Sequence, residues 1–155
     1  MSKSISIFVS YSHINQKSAI QLIELLSEQL KASKNYDYHI WFDKQLNVGE
    51  VWKNKICETI NSCDLGLLLV SPSFLSSKFI LEHELPKFTG ENVISSVPVM
   101  LQPIDFERHN LRGLEERQIF TLDGKAFYKC KSKNKYEFSF ELFKSIEEKL
   151  AAKSR

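Results

Sequence analysis

Two glutamates lie in the otherwise hydrophobic stretch SPSFLSSKFILEHEL, residues 71–85. On a helix that turns about 100° per residue, Glu84 falls among the apolar side chains, whereas Glu82 points away from them. A carboxylate that faces an apolar sector needs polar partners or lines a cavity, so Glu84 is the candidate for chemistry. Glu82 is expected in solvent near a helix start. The alternative is that Pro86 distorts the helix and returns Glu84 to water.

Signatures of several other chemistries are absent from the sequence. It has no GxGxxG fingerprint, no P-loop and no GxSxG elbow. The EHE at residues 82–84 lacks a third metal ligand nearby, so we expect no metal site. Cys57, Cys63 and Cys130 are an odd, widely spaced set without a CxxC pair, which predicts neither a disulfide framework nor a zinc site.

Composition indicates an ordinary globular protein. The 155 residues are 26% charged and 43% hydrophobic, which predicts one domain spanning residues 1–155. A net charge of +2 is too small to predict a nucleic-acid or anionic-lipid partner, and the basic run KCKSKNK, residues 129–135, is expected to be a solvated loop. No apolar run approaches the roughly 20 residues of a membrane span, and the N-terminus resembles no signal peptide. We therefore expect a cytoplasmic protein with no membrane contact.

Apolar strands alternate with amphipathic helices along the chain. The predicted strands are residues 5–10, 39–42, 65–70, 93–101 and 118–122. The predicted helices are residues 16–33, 51–62, 79–88 and 138–150, with a weakly helical stretch near 105–116. This alternation predicts an α/β fold: a flavodoxin-like, five-stranded parallel sheet of order 2-1-3-4-5 with helices on both faces.

In such a sheet, ligands bind at the carboxyl ends of the strands, where the strand order reverses. With the order 2-1-3-4-5, this point lies between the first and third strands. Residues 10–15 (SYSHIN), residues 43–49 and the stretch from Ser71 onward should meet there. A response-regulator receiver would need clustered acidic residues after the first strand, where this chain has SYSH.

Several motifs in a fixed order resemble the TIR (Toll/interleukin-1 receptor) domain in its bacterial form. They are IFVSYSHIN, IWFDKQLNVGEVW, INSCDLGLLLVSPSFLSSKFILEHELP and PVML. The resemblance covers essentially the whole chain and implies the flavodoxin-like sheet together with one of two activities. Many bacterial and plant TIR domains cleave NAD at the nicotinamide–ribose bond, whereas animal adaptor TIR domains mostly act by TIR–TIR association.

The resemblance implies that Glu84, which precedes Leu85 in the family's W…EL segment, is the catalytic carboxylate. Phe79 stands where many members have tryptophan, and the spacing from this aromatic residue to the glutamate is one residue longer than in plant or animal enzymes. Glu82 therefore stays a second candidate. A lone carboxylate suits the reaction, because nicotinamide leaves as a neutral molecule and a nearby anion stabilises the oxocarbenium-like ribose.

The remaining candidate residues are expected to bind the substrate, NAD+. They are Ser10, Tyr11, Ser12, His13, Asp43, Gly49, Trp52 and Phe79. Residues 11–13 follow the first strand and can offer donors to phosphate. The resemblance places Asp43, Gly49 and Trp52 in or beside a loop that closes over the cleft.

Three of these residues have a structural alternative. Trp52 shares a helical stripe with Ile56 and Ile60, which is equally typical of a core residue. His13 is equally well explained as a solvated loop residue, and Gly49 as part of the turn before the next helix.

We therefore expect an NAD+ glycohydrolase that needs no bound cofactor or metal and that is activated by self-association in a defence or signalling pathway. Whether ADP-ribose leaves in linear or cyclic form stays open. The alternative is a non-enzymatic TIR–TIR scaffold. The carboxylate favours the enzyme, while the shifted spacing and the missing tryptophan favour the scaffold. The end at AAKSR, directly after the last helix, suggests excision from a longer protein with a sensor module.

Overall fold

The computed structural model describes residues 3–42, 50–90, 93–115 and 118–153, and only the backbone of residues 50 and 51. Its strands are β1 Lys3–Ser10, β2 Tyr36–Trp41, β3 Leu65–Val70 and β4 Ser96–Met100. Its α-helices are α1 Gln16–Lys31, α2 Glu50–Ser62, α3 Pro72–Ser76, α4 Pro86–Thr89 and α5 Ser132–Lys153. Single turns of 3-10 helix lie at His13–Asn15 and Phe127–Lys129, and a π-helical turn lies at Ile80–Glu84.

The four strands form a parallel sheet of order β2-β1-β3-β4. All six residues of β3, LGLLLV, are buried, because this strand lies inside the sheet and is covered on both faces. The predicted parallel α/β fold is confirmed, and so is the order of its first four strands.

The prediction of a fifth strand at residues 118–122 is not confirmed. The segment approaches the edge of β4 at a single parallel bridge between Val99 and Phe120. Phe120 donates its N–H to the carbonyl of Pro98 at 2.8 Å and accepts the N–H of Met100 at 2.9 Å. These two bonds are not continued into a ladder.

The edge of β4 and the segment's own turn explain why the ladder stops. Pro98 has no N–H to donate outward from β4. The carbonyl of Ser96 accepts instead from Nζ of Lys149, at 2.6 Å. At the other end, Leu122 and Lys125 exchange backbone hydrogen bonds of 3.1 and 2.9 Å in a tight turn. The apolar residues Ile119, Phe120 and Leu122 made the segment resemble a strand, but it pairs with β4 at Phe120 alone.

The weakly helical stretch near 105–116 is irregular over its described part. Oδ1 of Asp105 accepts the N–H groups of Glu107 and Arg108 at 2.9 and 3.2 Å, and such local side-chain bonds compete with helix formation. Arg112 and Gly113 then adopt positive φ values of 55° and 96°, which a helix cannot accommodate.

Two apolar layers enclose the sheet, as predicted. On one face, α1 and α5 pack through residues such as Leu26 and Leu142. On the other face, the helices α2 and α4 pack through residues such as Ile60 and Phe88. A Cβ on Gly66 of β3 would come within 2.7 Å of Cζ of Phe88, so glycine is what allows this ring to lie on the sheet.

Glu147 of α5 bonds both to β2 and to the connection between α1 and β2. Its carboxylate accepts hydrogen bonds from Oγ of Ser33 at 2.5 Å, from Nδ2 of Asn35 at 2.9 Å and from the hydroxyl of Tyr38 at 2.8 Å. Burial, and then the hydrogen bond to Glu147, raise the pKa of Tyr38 well above its ordinary value. The three bonds fix the edge strand against the last helix.

Within the described parts of the chain, no helix is both long and apolar enough to cross a membrane.

Candidate active site

The segment between β3 and β4 is built from short, interrupted helices. Ser71 caps α3 by accepting the N–H of Phe74 at 3.0 Å, and Pro72 takes the first helical position. Further on, the N–H of Leu85 donates to the carbonyl of Ile80 at 2.8 Å, an i→i+5 bond that makes the turn π-helical. Pro86 follows and begins α4.

This interruption separates the two glutamates. Glu84 is buried, with 7% of its surface exposed, whereas the side chain of Glu82 is 52% exposed and lies 3.7 Å from the imidazole of His83. The orientation predicted from the helical face is therefore confirmed. Pro86 follows a π-helical turn and begins α4, and Glu84 does not return to water.

The carboxylate of Glu84 is bonded to the end of β1. Ser10, the last residue of that strand and itself 1% exposed, donates its hydroxyl to Oε1 of Glu84 at 2.5 Å. A buried carboxylate is costly to desolvate unless donors compensate for the lost water, and this hydroxyl is one such donor. The bond fixes the π-helical turn to the carboxyl end of the sheet.

Glu84 lines a cavity of about 290 Å³ between the ends of β1 and β2 and the π-helical turn. Six candidate residues of the sequence analysis meet in its wall: Tyr11, Ser12, His13, Trp52, Phe79 and Glu84. Ser10 lies behind the wall, bonded to Glu84. Asp43 and Gly49 lie outside the described residues. The binding and catalytic roles of all these residues stay predictions.

The cavity wall also contains residues that sequence reasoning missed. They are Phe8, Val9, Ile14, Trp41, Ile56, Ser77 and Ile80. Trp41 is the important addition, because its ring stacks on Phe8 at 5.1 Å and lies 5.9 Å from Trp52. Its position as the last residue of β2 was the available signal, since ligands bind where parallel strands end.

The aromatic wall has a definite chemical preference. Trp52 is half-buried and lines the cavity, so it is not purely a core residue. Elsewhere in the same wall, Tyr11 stacks on His13 at 4.9 Å, and its ring lies 4.8 Å from that of Phe42. Aromatic faces with one carboxylate suit a flat, positively charged ring, because the negative face of each aromatic ring attracts a cation.

A second buried contact fixes the loop after β1. Oγ of Ser71 donates to Oδ1 of Asn15 at 2.6 Å, and both residues are buried. The same Ser71 caps α3, so the start of the π-turn segment and the SYSHIN loop are held to each other. This places the loop's backbone and hydroxyl donors at a fixed distance from Glu84.

Wider depressions lie elsewhere on the described surface. They have volumes of about 580 Å³ along α1, about 740 Å³ beside the edge of β4 and about 460 Å³ between residues 100–106 and 124–129. None of these contains Glu84, and none lies at the ends of the two central strands. The smaller cleft combines concave aromatic walls with a buried carboxylate, so we regard it as the functional site. Among the described residues, no three His, Cys, Asp or Glu side chains are grouped so as to hold a metal ion.

Comparisons with known proteins agree with this geometry. A family model described as the TIR domain matches residues 7–132. The chain is 30% identical over 107 residues to an uncharacterized protein, y4lF, of Sinorhizobium fredii. That alignment covers 65% of this chain and 31% of the relative, so the chain spans about a third of that protein's length. No solved structure gives a significant match. Because the family model covers most of the sequence, from β1 to the start of α5, the chain belongs to the TIR domain family.

Proposed function

We propose that this TIR domain is an NAD+ glycohydrolase, with Glu84 as the catalytic carboxylate. The observation that carries the proposal is the position of Glu84. Its carboxylate is buried in the wall of an aromatic cleft at the carboxyl ends of the strands and is bonded to Ser10. The family is compatible with this activity, since many bacterial members cleave NAD.

The cleft suits the reactive end of the substrate. Nicotinamide in NAD+ is a flat pyridinium cation, and the aromatic rings of the cleft wall attract such a cation. Trp41 is stacked on Phe8 at 5.1 Å, and Nζ of Lys55 lies 5.8 Å from the centre of the Trp52 ring, so the pyridinium would use the parts of these rings that the two contacts leave open. A volume of about 290 Å³ is at the lower end for ligand pockets. We therefore assign the cavity to the nicotinamide riboside half, with the rest of the dinucleotide outside it.

The loop after β1 supplies donors for the phosphates. Tyr11, Ser12 and His13 all line the same cavity, and Ser12 is the N-cap of the short 3-10 turn that His13 begins. Backbone N–H groups at such a turn, together with hydroxyls, bind anionic oxygens well. The diphosphate would then lie on this side of the cleft, across from Phe79.

The reaction needs little proton transfer. The bond between C1′ of the ribose and the pyridinium nitrogen breaks, and nicotinamide leaves with the electron pair as a neutral molecule. The ribose is left with positive charge shared between C1′ and its ring oxygen, and the Glu84 carboxylate stabilises this charge. Water then adds at C1′ and releases a proton to give ADP-ribose, or a hydroxyl or ring nitrogen of the same molecule adds to give a cyclic product.

The second candidate function is a TIR–TIR interaction module without catalysis. The observation that favours it is the phenylalanine at position 79, where many members of the family have tryptophan. Ile14, in the wall of the cleft, is 83% exposed and is accessible to a neighbouring domain. The two functions are compatible if association of TIR domains promotes catalysis.

Product analysis separates the two functions. Concentrated protein is incubated with NAD+, and the mixture is resolved by chromatography against standards of nicotinamide, ADP-ribose and cyclic ADP-ribose. The proposal predicts nicotinamide and one ADP-ribose product in equal amounts. Unchanged NAD+ at high protein concentration, with the fold confirmed by circular dichroism, would leave the interaction module as the function.

A further inference from the structure

The positive charge of the protein is concentrated in one short segment. Residues 124–136, GKAFYKCKSKNKY, contain five lysines and no acidic residue. Since the whole chain carries a net charge of +2, the rest of it carries −3. The small overall charge therefore conceals a strong asymmetry, and such asymmetry is typical of a surface that meets an anionic partner.

The fold brings these lysines to the surface at the beginning of α5. Lys125, Lys129, Lys131 and Lys133 are all exposed. Lys135 is partly covered, because its Nζ bonds to Oε1 of Gln21 at 3.1 Å and lies 5.3 Å from the centre of the Phe127 ring. The first turn of α5 contains no acidic residue, so positive side chains accumulate at the positive end of the helix dipole. This arrangement disfavours the helix and calls for a functional explanation.

Exposed aromatic side chains accompany the lysines. Tyr128 is 56% exposed beside Lys129, and Tyr136 and Phe140, one turn apart on the outer face of α5, are 49% and 39% exposed. Lys144 lies one turn further, with its Nζ 5.5 Å from the centre of the Phe140 ring. Glu137 and Glu141 share this helix, and Glu141 forms an ion pair of 3.1 Å with Lys144. We call the lysines 125, 129, 131 and 133 with these three aromatic residues the basic–aromatic surface.

We infer that the basic–aromatic surface docks the protein onto an anionic lipid membrane. Lysines clustered around exposed tyrosine and phenylalanine fit the boundary between charged headgroups and acyl chains, where the aromatic rings lie at the level of the headgroups.

The use of lysine in place of arginine favours a partner whose negative charges are mobile. The segment 124–136 uses lysine throughout and contains no arginine, whereas fixed recognition of individual phosphates favours the planar guanidinium. Lysine ammonium groups act as mobile point charges, which suits a fluid array of lipid headgroups. An acidic protein or a single-stranded nucleic acid would be the competing partner.

The surface lies at the same end of the sheet as the cleft. Tyr128 donates its N–H to the carbonyl of Leu101, which directly follows β4, while Lys149 near the other end of α5 reaches Ser96 at the start of β4. Docking would thus hold many copies in one plane with the carboxyl ends of their strands towards the membrane. Such crowding raises the local concentration of the domain, whether or not it cleaves NAD+.

Vesicle sedimentation tests the inference without reference to enzymatic activity. The probes are vesicles of phosphatidylcholine containing about one third phosphatidylglycerol and vesicles of phosphatidylcholine alone, at about 0.1 M salt. We expect binding to the anionic vesicles only, and its loss at about 1 M salt. Lys129→Gln, Lys131→Gln and Lys133→Gln together should lower the affinity about 100-fold, because each lysine close to an anionic surface contributes about a fivefold factor.

The matched control removes the same charge elsewhere. Lys3→Gln, Lys31→Gln and Lys87→Gln alter three exposed lysines outside the segment, and this variant should keep nearly all of the binding. Tyr136→Ser with Phe140→Ser should weaken binding several-fold without changing its salt dependence. Thermal unfolding confirms that each variant is folded.

Three results would overturn the inference. The first is that the protein does not sediment with anionic vesicles, and the second is that the control triple variant loses as much vesicle binding as the test variant. The third is that the protein binds an oligothymidine tightly but does not bind the vesicles.

Discussion

The hydroxyl of Ser10 donates a hydrogen bond of 2.5 Å to Oε1 of Glu84, although the two residues lie 74 positions apart in the chain. One ends β1 and the other ends the π-helical turn after α3. Their bond is what joins the sheet to the carboxylate of the proposed reaction. In that reaction the bond would give Ser10 a positioning role, and the predicted contact of Ser10 with the substrate stays a prediction.

Ser10→Ala should lower the rate of nicotinamide release about 10- to 100-fold, since a hydrogen bond to a charged group contributes about 1.5–3 kcal/mol. Ser139→Ala is the control, because Ser139 is equally buried but bonds to Tyr136 far from the cleft. A rate of release that is unchanged in Ser10→Ala would mean that the bond is only structural.

The stability difference between wild type and Tyr38→Phe should depend on pH, because it reports the hydrogen bond from Tyr38 to Glu147. At neutral pH the variant should be less stable by about 1 kcal/mol, the contribution of one hydrogen bond. The pKa of Tyr38 is raised above its ordinary value of 10.0 by burial and by Glu147. Above pH 10 the unfolded tyrosine loses its proton while the folded one keeps it, so this contribution to stability falls as pH rises.

Phenylalanine has no such proton, and the stability of wild type and variant should converge above pH 10. Urea unfolding at neutral pH and near pH 11 measures the difference. Tyr128→Phe, at an exposed tyrosine, is the control. A constant difference between Tyr38→Phe and wild type across this range would contradict the assignment.

Gly66→Ala should destabilise the domain by about 1–3 kcal/mol, because the new Cβ would overlap the ring of Phe88. Equilibrium unfolding in urea gives the value. Phe88→Leu makes room on the sheet, so the double variant should lose less than the sum of the two single losses. Strict additivity would show that the ring and the glycine do not contact each other.

Activity should depend on protein concentration. A neighbouring domain can contact the exposed Ile14 in the wall of the cleft. Association then stabilises the active arrangement by mass action, so nicotinamide release per molecule should rise from dilute to concentrated protein. Ile14→Asp should flatten this dependence and leave the thermal stability unchanged. Constant activity per molecule, with light scattering that shows only monomer, would indicate a self-sufficient monomer.

Much of the fold follows from local patterns. Buried strands such as β3 and the apolar stripe of α1 are typical of a parallel α/β sheet, and four of the five predicted strands are present. The fifth fails because its partner strand presents Pro98 at its edge and because Leu122 turns back to bond with Lys125. The sequence of residues 118–122 carries no information about the missing donor on β4.

The site was predictable to the extent that it depends on helical faces and strand ends. The burial of Glu84 followed from its place among apolar residues, even though the segment forms a π-helical turn and short helices where one regular helix was expected. The pairing of Ser10 with Glu84 and the stacking of Trp41 were not predictable, because both depend on tertiary contacts. The basic run at residues 129–135 was expected to be a solvated loop, but Ser132 to Lys135 form the first turn of α5. Its exposed aromatic neighbours Tyr128, Tyr136 and Phe140 could not be recognised without the structure.

The central claim is that the buried carboxylate of Glu84 cleaves NAD+, and a pair of isosteric variants tests it most directly. Nicotinamide release is measured for wild type, Glu84→Gln and Glu82→Gln at one high protein concentration, with circular dichroism to confirm folding. Glutamine keeps the shape and removes the charge, so Glu84→Gln should abolish release while Glu82→Gln retains it. Retained activity in Glu84→Gln, or its loss in Glu82→Gln alone, would contradict the account.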